Sequence, residues 1–415
     1  MPNHKLKNCG LVLGAGLLTC GTVHANTNQE QFTTDIDALC TEILQQEGAG
    51  FDFASFENAC RLSEVPDPVE YEQDRAQITP DEQPALYTSL VQISRNQVNS
   101  IRNHLSGLRR QQAGGGSEVA IFPGVADYRG GNAGGELFRS QALGLFLSGA
   151  RAGGDQDDTD YEVGYDLSDD HYTLGADWQL NDEWLVGAAW GHSESELEYN
   201  QFGDQTDNQS DHLIVYSSWY RRDFALDTTL GYARGEFDTR RHLPGASLAR
   251  GTTDTRMLYL SLTGGYDFRS GGWTYGPLAS LDYLDGDIDA FEESGDSPWT
   301  AAFAKQTVES LIYSAGGQVA YAKSFSWGVL VPYAKAIWRH EFEDDRDLIV
   351  GRFLFSPGDE FSIQADDPDT NWMEAQAGAS AQFPHGIAAF IDYAAVLDYD
   401  DTRLATVSAG VRLAF

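Results

Sequence analysis

Three arginines, Arg95, Arg102 and Arg109, recur every seven residues, a spacing that sets three guanidiniums along one stripe of a helix. Other residues that could do chemistry are scattered. The nine histidines form no H-x-x-x-H pair, and no C-x-x-C occurs, so no zinc site is spelled out. The nucleophile elbow G-x-S-x-G is missing, because Gly378-Ala379-Ser380-Ala381 and Gly245-Ala246-Ser247 both lack the second glycine. No phosphate-binding loop is present either. Asp211-His212 with His192 is the place where an Asp/His hydrolytic pair could be assembled, but ordinary rim residues explain these three better. Asp155, Asp157, Asp158, Asp160 and Glu162 cluster in one stretch, and Glu343, Asp344, Asp345 and Asp347 in another. Such oxygens suit Ca²⁺ or Mg²⁺, which could bridge them to anionic lipopolysaccharide. Neither run has the spacing or turn glycine of an EF-hand, and a hydrated acidic surface is the simpler reading. With 63 acidic against 27 basic residues the chain carries a formal charge of -36, which excludes a nucleic-acid footprint.

The elements that must position these residues change along the chain. Lys5 and Lys7 precede an apolar run from Gly10 to Val23, and Val23-His24-Ala25 offers a small-x-small cleavage site, so residues 1–25 read as a secretory signal. A lipoprotein box at Leu17-Leu18-Thr19-Cys20 is a weaker alternative, since threonine fits poorly before the cysteine. After cleavage 25 basic residues face 63 acidic ones, a balance of -38. Cys40 and Cys60 then remain as a lone pair in an exported chain, which reads as a disulfide worth roughly 3 kcal/mol by loop closure. It would staple an acidic module, residues 26–84, too short for a large core of its own. Leu86, Leu90, Ile93, Val98, Ile101, Leu105 and Leu108 recur at helical spacing and predict a helix over 85–112. A Gly-rich linker, 113–136, follows.

From residue 137 to the end the period becomes two. Tyr172, Leu174, Ala176, Trp178 and Leu180 alternate with Thr173, Gly175, Asp177 and Gln179, and Val407 to Phe415 behaves alike. Twelve such strands are predicted. Their connections alternate between short turns (181–182, 221–223, 270–272, 323–326, 384–386) and longer polar loops (153–169, 194–210, 239–253, 287–304, 343–370), with a tighter one near Tyr399-Asp400. Short turns on one rim and long loops on the other describe an outer-membrane barrel, and a sandwich gives no reason for the alternation. No run of about 18 apolar residues offers a membrane-spanning helix. Trp178, Trp184, Trp190, Trp219, Tyr220, Trp273, Tyr275, Trp327, Trp338 and Trp372 are expected in interfacial girdles. The facings of 213–219 and 318–335 stay open at this level.

At specific stretches the sequence resembles the autotransporter (type V secretion) family. Gly276-Pro277-Leu278-Ala279-Ser280-Leu281-Asp282-Tyr283 leading to Phe291-Glu292-Glu293-Ser294-Gly295 resembles a recurrent strand and loop of its translocator domains, as does Pro332-Tyr333 before Trp338-Arg339-His340-Glu341-Phe342. The resemblance covers residues 137–415. It implies an all-β transmembrane barrel of twelve antiparallel strands, with the preceding helix threading the pore. It further implies that the arginine stripe meets inward carboxylates such as Asp177, Asp282, Glu374 and Asp392, although a solvated charged face would give the same pattern. The terminal strand, with Val411, Leu413 and the closing Phe415, then serves as the signal to the barrel assembly machinery. The implied function is a non-enzymatic translocator in the outer membrane, without metal or cofactor, that exports or displays residues 26–84. A plugged channel or structural barrel is the alternative, and a hydrolase the remote one. Expected partners are the Sec translocon, the assembly machinery, lipid and lipopolysaccharide, around a monomeric barrel. Typical passengers run to several hundred residues; this one has about sixty. Asn96, Asn99 and Asn103 include no adjacent pair of the kind at which some members cut themselves, so the helix is expected to stay attached.

Overall fold

Alternating side chains close into a wall. The computed structural model describes residues 6–9, 20–23, 27–29, 74, 76–113, 143–343, 346–355 and 359–415. Its twelve long strands are β1 (Leu143–Gln156), β2 (Tyr165–Gln179), β3 (Trp184–Tyr199), β4 (Gln205–Arg221), β5 (Phe224–Leu243), β6 (Ser247–Tyr266), β7 (Trp273–Ile288), β8 (Gln306–Tyr321), β9 (Gly328–Glu341), β10 (Asn371–Gln382), β11 (Ile387–Leu397) and β12 (Thr402–Ala414). Each pairs antiparallel with the next, and β12 pairs with β1 from Thr402↔Gln156 to Ala414↔Gly144. The barrel wall itself therefore has no free edge. A separate four-residue pair, Leu6–Cys9 with Cys20–Val23, lies near the amino terminus.

The outer wall is apolar. Leu145, Leu147, Tyr172, Leu174, Trp178, Leu213, Val215, Ile391, Val407 and Val411 are exposed there, whereas Phe146, Ser148, Thr173, Asp177, His212 and Ile214 are buried inside. That belt would be an aggregation surface in water and suits hydrocarbon. Ladder pairing also fixes the two ambiguous stretches: Leu213 and Val215 point out, as do Val319 and Tyr321, while Val331, Tyr333 and Lys335 point in. Two aromatics expected in the girdles are instead lumenal. Trp372 is only 3% exposed, and Tyr220 hydrogen-bonds Gln179 from the inside.

The long-loop expectation needs a second correction. Spans 194–210 and 239–253 are strand except for the turns at 200–204 and 244–246, and 153–169 is strand outside 157–164. β5 and β6 run for 20 residues each, about 65 Å at roughly 3.3 Å per residue. That is well over the ~25 Å apolar band even when tilted. Above lipid both faces are wet, so the polar/apolar alternation disappears while the ladder continues. Only 289–305 and 342–370 are long connections. They contribute the short strands Phe291–Glu292, Ala301–Phe303, Ile349–Phe353 and Glu360–Ile363, which form a small sheet capping one mouth of the barrel.

Inside lies α1 (Pro84–Ala113), 30 residues and therefore about 45 Å long. Proline at its start suits a position whose N–H has no helical partner. The seven apolar residues that predicted it are all at most 4% exposed. Pro84 lies at the capped, long-connection rim, and Arg109 reaches Asp227, just past the short turn at 222–223.

Candidate functional site: the lumen and its helix

The lumen has two unlike halves. Leu86, Leu90, Val98, Ile101, Leu105 and Leu108 of α1 pack against Leu185 of β3, Ile214 and Tyr216 of β4, Phe237 of β5, Met257 and Tyr259 of β6, Leu284 of β7 and Val308 of β8. This seam is dry. On the other side, Arg95, Asn99, Arg102 and Asn103 look across a cavity of about 60 Å³ toward Lys335, Arg339, Glu374, Gln376 and Asp392. A helix with one apolar and one cationic stripe therefore fits one orientation only.

Two of the three stripe arginines meet carboxylates. Arg102 donates to Asp282 at 2.6 Å and to Thr263, Ser261 and Asn99. Arg109 grips both oxygens of Asp227, which also accepts from Ser218. Among the described residues Arg95 forms no ion pair, and it lies over the Trp372 ring, 5.1 Å from its centroid. The expected carboxylates divide differently from the simple picture. Asp282 takes a stripe arginine. Asp177 instead faces His104 of α1 at 3.1 Å and accepts from Arg412 of β12. Glu374 accepts from Arg339 at 2.7 Å. Asp392 accepts from Tyr333, Gln376 and Ser408. Wall arginines thus meet Asp177 and Glu374, neutral wall groups meet Asp392, and Asp282 is left to the helix.

Asp227, His104 and Arg412 did not stand out in the sequence. Strand parity was the available signal: Asp227 sits two residues from inward Ala225 and Thr229, and Arg412 lies between outward Val411 and Leu413. Arg412 reaches Asp177 across Gly144 of β1, where a Cβ would stand 2.1 Å from the guanidinium. The seam between first and last strands is therefore bridged from within, and glycine is needed beneath the bridge.

A second cluster closes the mouth. Arg241, at the tip of β5 and 1% exposed, holds Glu293 by two hydrogen bonds, of 3.1 and 2.7 Å, and lies 3.4 Å from Glu82. It also donates to the carbonyls of Ile78 and Trp299. Ile78, fully buried, sits among Leu243, Phe291, Trp299, Phe303, Phe353 and Ile363 of the cap. Burial pushes the Glu82 carboxyl well above its usual range, against the pull of Arg241.

Asp211 and His212 do not form a site. Alternation turns Asp211 outward, 3.0 Å from His192, and buries His212 in the lumen beside Ser210 and Tyr259. Within the acidic run, Arg403 pairs with Asp155 and Asp157, and Glu162 pairs with Arg346. Among the described residues no three His, Cys, Asp or Glu side chains converge as metal ligands. Cys40, Cys60, Asp344 and Asp345 lie outside the described residues, as do 114–142. Val411, Leu413 and Phe415 are exposed on the outer wall.

Comparison with known proteins places this architecture. The family model described as the autotransporter beta-domain matches residues 145–394. The fold is similar to the translocator domain of autotransporter NalP from Neisseria meningitidis, at 18% identity and TM-score 0.54, covering 66% of this chain and 89% of that one. It is also similar to the beta domain of the Bordetella autotransporter Brka, at 16% identity and TM-score 0.51, covering 66% and 100%. An uncharacterized protein in the trpE-trpG intergenic region of Pseudomonas putida is 27% identical over 241 residues, 54% of this chain. The chain spans 37% of that relative's length.

Proposed function

The chain belongs to the autotransporter β-domain family of outer-membrane transport barrels, and from that premise we propose that it displays its short acidic amino-terminal segment at the cell surface. The observation that carries this reading is the polarity of α1. Its first residue stands at the capped rim and its last turn at the short-turn rim, so the chain before Pro84 leaves the lumen on the side of the long connections. That side faces outward in barrels of this kind.

In this reading α1 is the permanent occupant of the pore, anchored by Arg102 and Arg109, and it stays covalently joined to the barrel. The displayed part lies within residues 26–84, stapled by Cys40–Cys60, and the barrel performs no hydrolysis. The Sec translocon delivers the chain, and Val411, Leu413 and Phe415 present it to the assembly machinery. Protease treatment of intact cells tests the proposal. Cleavage within 30–73 is expected, and protection until the membrane is broken would sink it. The plugged-channel reading is favoured by one feature, the burial of Ile78 and Arg241 under the cap. It predicts that protection, together with a conductance in planar bilayers that rises when 84–113 are deleted.

A further inference from the structure

We propose that residues 27–29 are an amino-terminal latch seated at the capped rim and bonded there to the stretch that leads into α1. The seat is built for a carboxamide. Asn28 Nδ2 donates to the carbonyl of Gln364 at 2.7 Å and to that of Tyr161 at 2.6 Å, while its Oδ1 accepts from the amide of Gln364 at 3.0 Å. One side chain thus answers both backbone groups of Gln364, as a neighbouring strand would. Asparagine and glutamine alone among side chains carry a donor and an acceptor in that arrangement. The amide of Thr27 donates to the carbonyl of Asp160, and Gln29 Nε2 donates to Asp81 at 2.7 Å. Asn28 is 7% exposed and Gln29 2%. Buried groups this fully bonded mark a specific seat.

The Gln29–Asp81 bond joins the latch directly to the stretch ahead of α1. Asp81 lies three residues before α1, and Ile78 is already locked in the cap. Gln29 and Asp81 therefore meet at one place on the rim. A seated amino terminus is withheld from exopeptidases at the cell surface. The latch is a property of the barrel. Only this consequence rests on the display reading.

Amide hydrogen exchange on the purified full-length protein tests the latch directly. The Thr27 and Gln364 amides should exchange at least tenfold more slowly than free chain, and Asn28→Ala should speed both together while α1 keeps its protection. Asn28→Asp, of the same shape but unable to donate, should behave like Asn28→Ala. Free-chain exchange at Thr27 in the wild type overturns the proposal, and so does a Gln364 amide indifferent to Asn28. Should a variant fail to refold, the wild-type Thr27 rate still decides. A latch that holds while residues 30–73 prove inaccessible on cells would refute display and leave the latch standing.

Discussion

Replacing Arg109 by methionine should loosen α1 in the lumen more than any other single change on its cationic stripe. The side chains of Arg109 and Asp227 are 14% and 4% exposed and bonded through two oxygens. Removing one member of such a pair leaves a buried charge without its counterion, at a cost of about 3–5 kcal/mol. Ser218 still donates to Asp227, so the lower end applies, about 3 kcal/mol. At about 1.4 kcal/mol per tenfold, the ratio of displaced to seated helix should rise on the order of a hundredfold. Single-channel recording in planar bilayers reads this as the probability of open events. The double variant R109M/D227N leaves neither charge stranded and should recover most of the loss. An open probability within threefold of wild type, or a double variant as leaky as R109M, would refute the argument that this pair seats the helix.

Other expectations concern the seam, the cap and pH. Arg412→Gln removes the bridge to Asp177 across Gly144 and should cost about 3 kcal/mol at the β12–β1 seam, seen as a lower temperature at which the folded band converts in gel electrophoresis. Ile78→Asp buries a carboxylate among Phe291, Trp299 and Phe303 and should free 76–83 for proteolysis without unfolding the barrel. Burial raises the carboxyl of Glu82 above its unfolded value. The folded cap therefore binds protons more tightly than the open one, and its stability is complete below the ordinary carboxylate range and declines as pH rises above it. Proteolysis at 76–83 should accordingly be slower at mildly acidic than at alkaline pH.

What could be read from the sequence followed the physics of each signal. Seven apolar residues at helical spacing located α1, because the seam they fill is continuous from Leu86 to Leu108. Period two located the strands wherever one face met lipid. It failed above the membrane, where Glu194, Glu196 and Glu198 alternate with Ser193, Ser195 and Leu197 and few apolar side chains mark either face, so the tips of β3 to β6 read as loops. It misplaced Trp372 because composition shows that an aromatic lies near a strand end but not on which face. The arginine stripe was legible as a stripe; its partners were not. Pairing Arg109 with Asp227 and His104 with Asp177 needs the stagger of strands around the barrel, and no single strand's sequence contains that. The mouth cluster of Arg241, Glu293 and Glu82 joins residues up to 211 apart, beyond the reach of any local pattern.

The unlike halves of the lumen bear on what the barrel is for. A water-filled channel is lined by polar groups all round, since an apolar wall in contact with water is costly, about 25 cal/mol for each Å². Here Leu185, Ile214, Phe237, Met257, Leu284 and Val308 line one half, and every one of them is covered by α1 or by its neighbours in that seam. Such a wall is stable only with a helix against it. The polar half could solvate a passing chain, but the apolar half selects a resident with an apolar stripe, and the sequence supplies one immediately before the barrel. The segment ahead of that resident, residues 26–83, has 14 acidic and two basic side chains and so lacks the cationic stripe that meets the lumen's carboxylates. α1 carries four arginines and no acid. The lumen therefore favours coming to rest with the helix inside and the acidic segment beyond it, which is the arrangement that display requires.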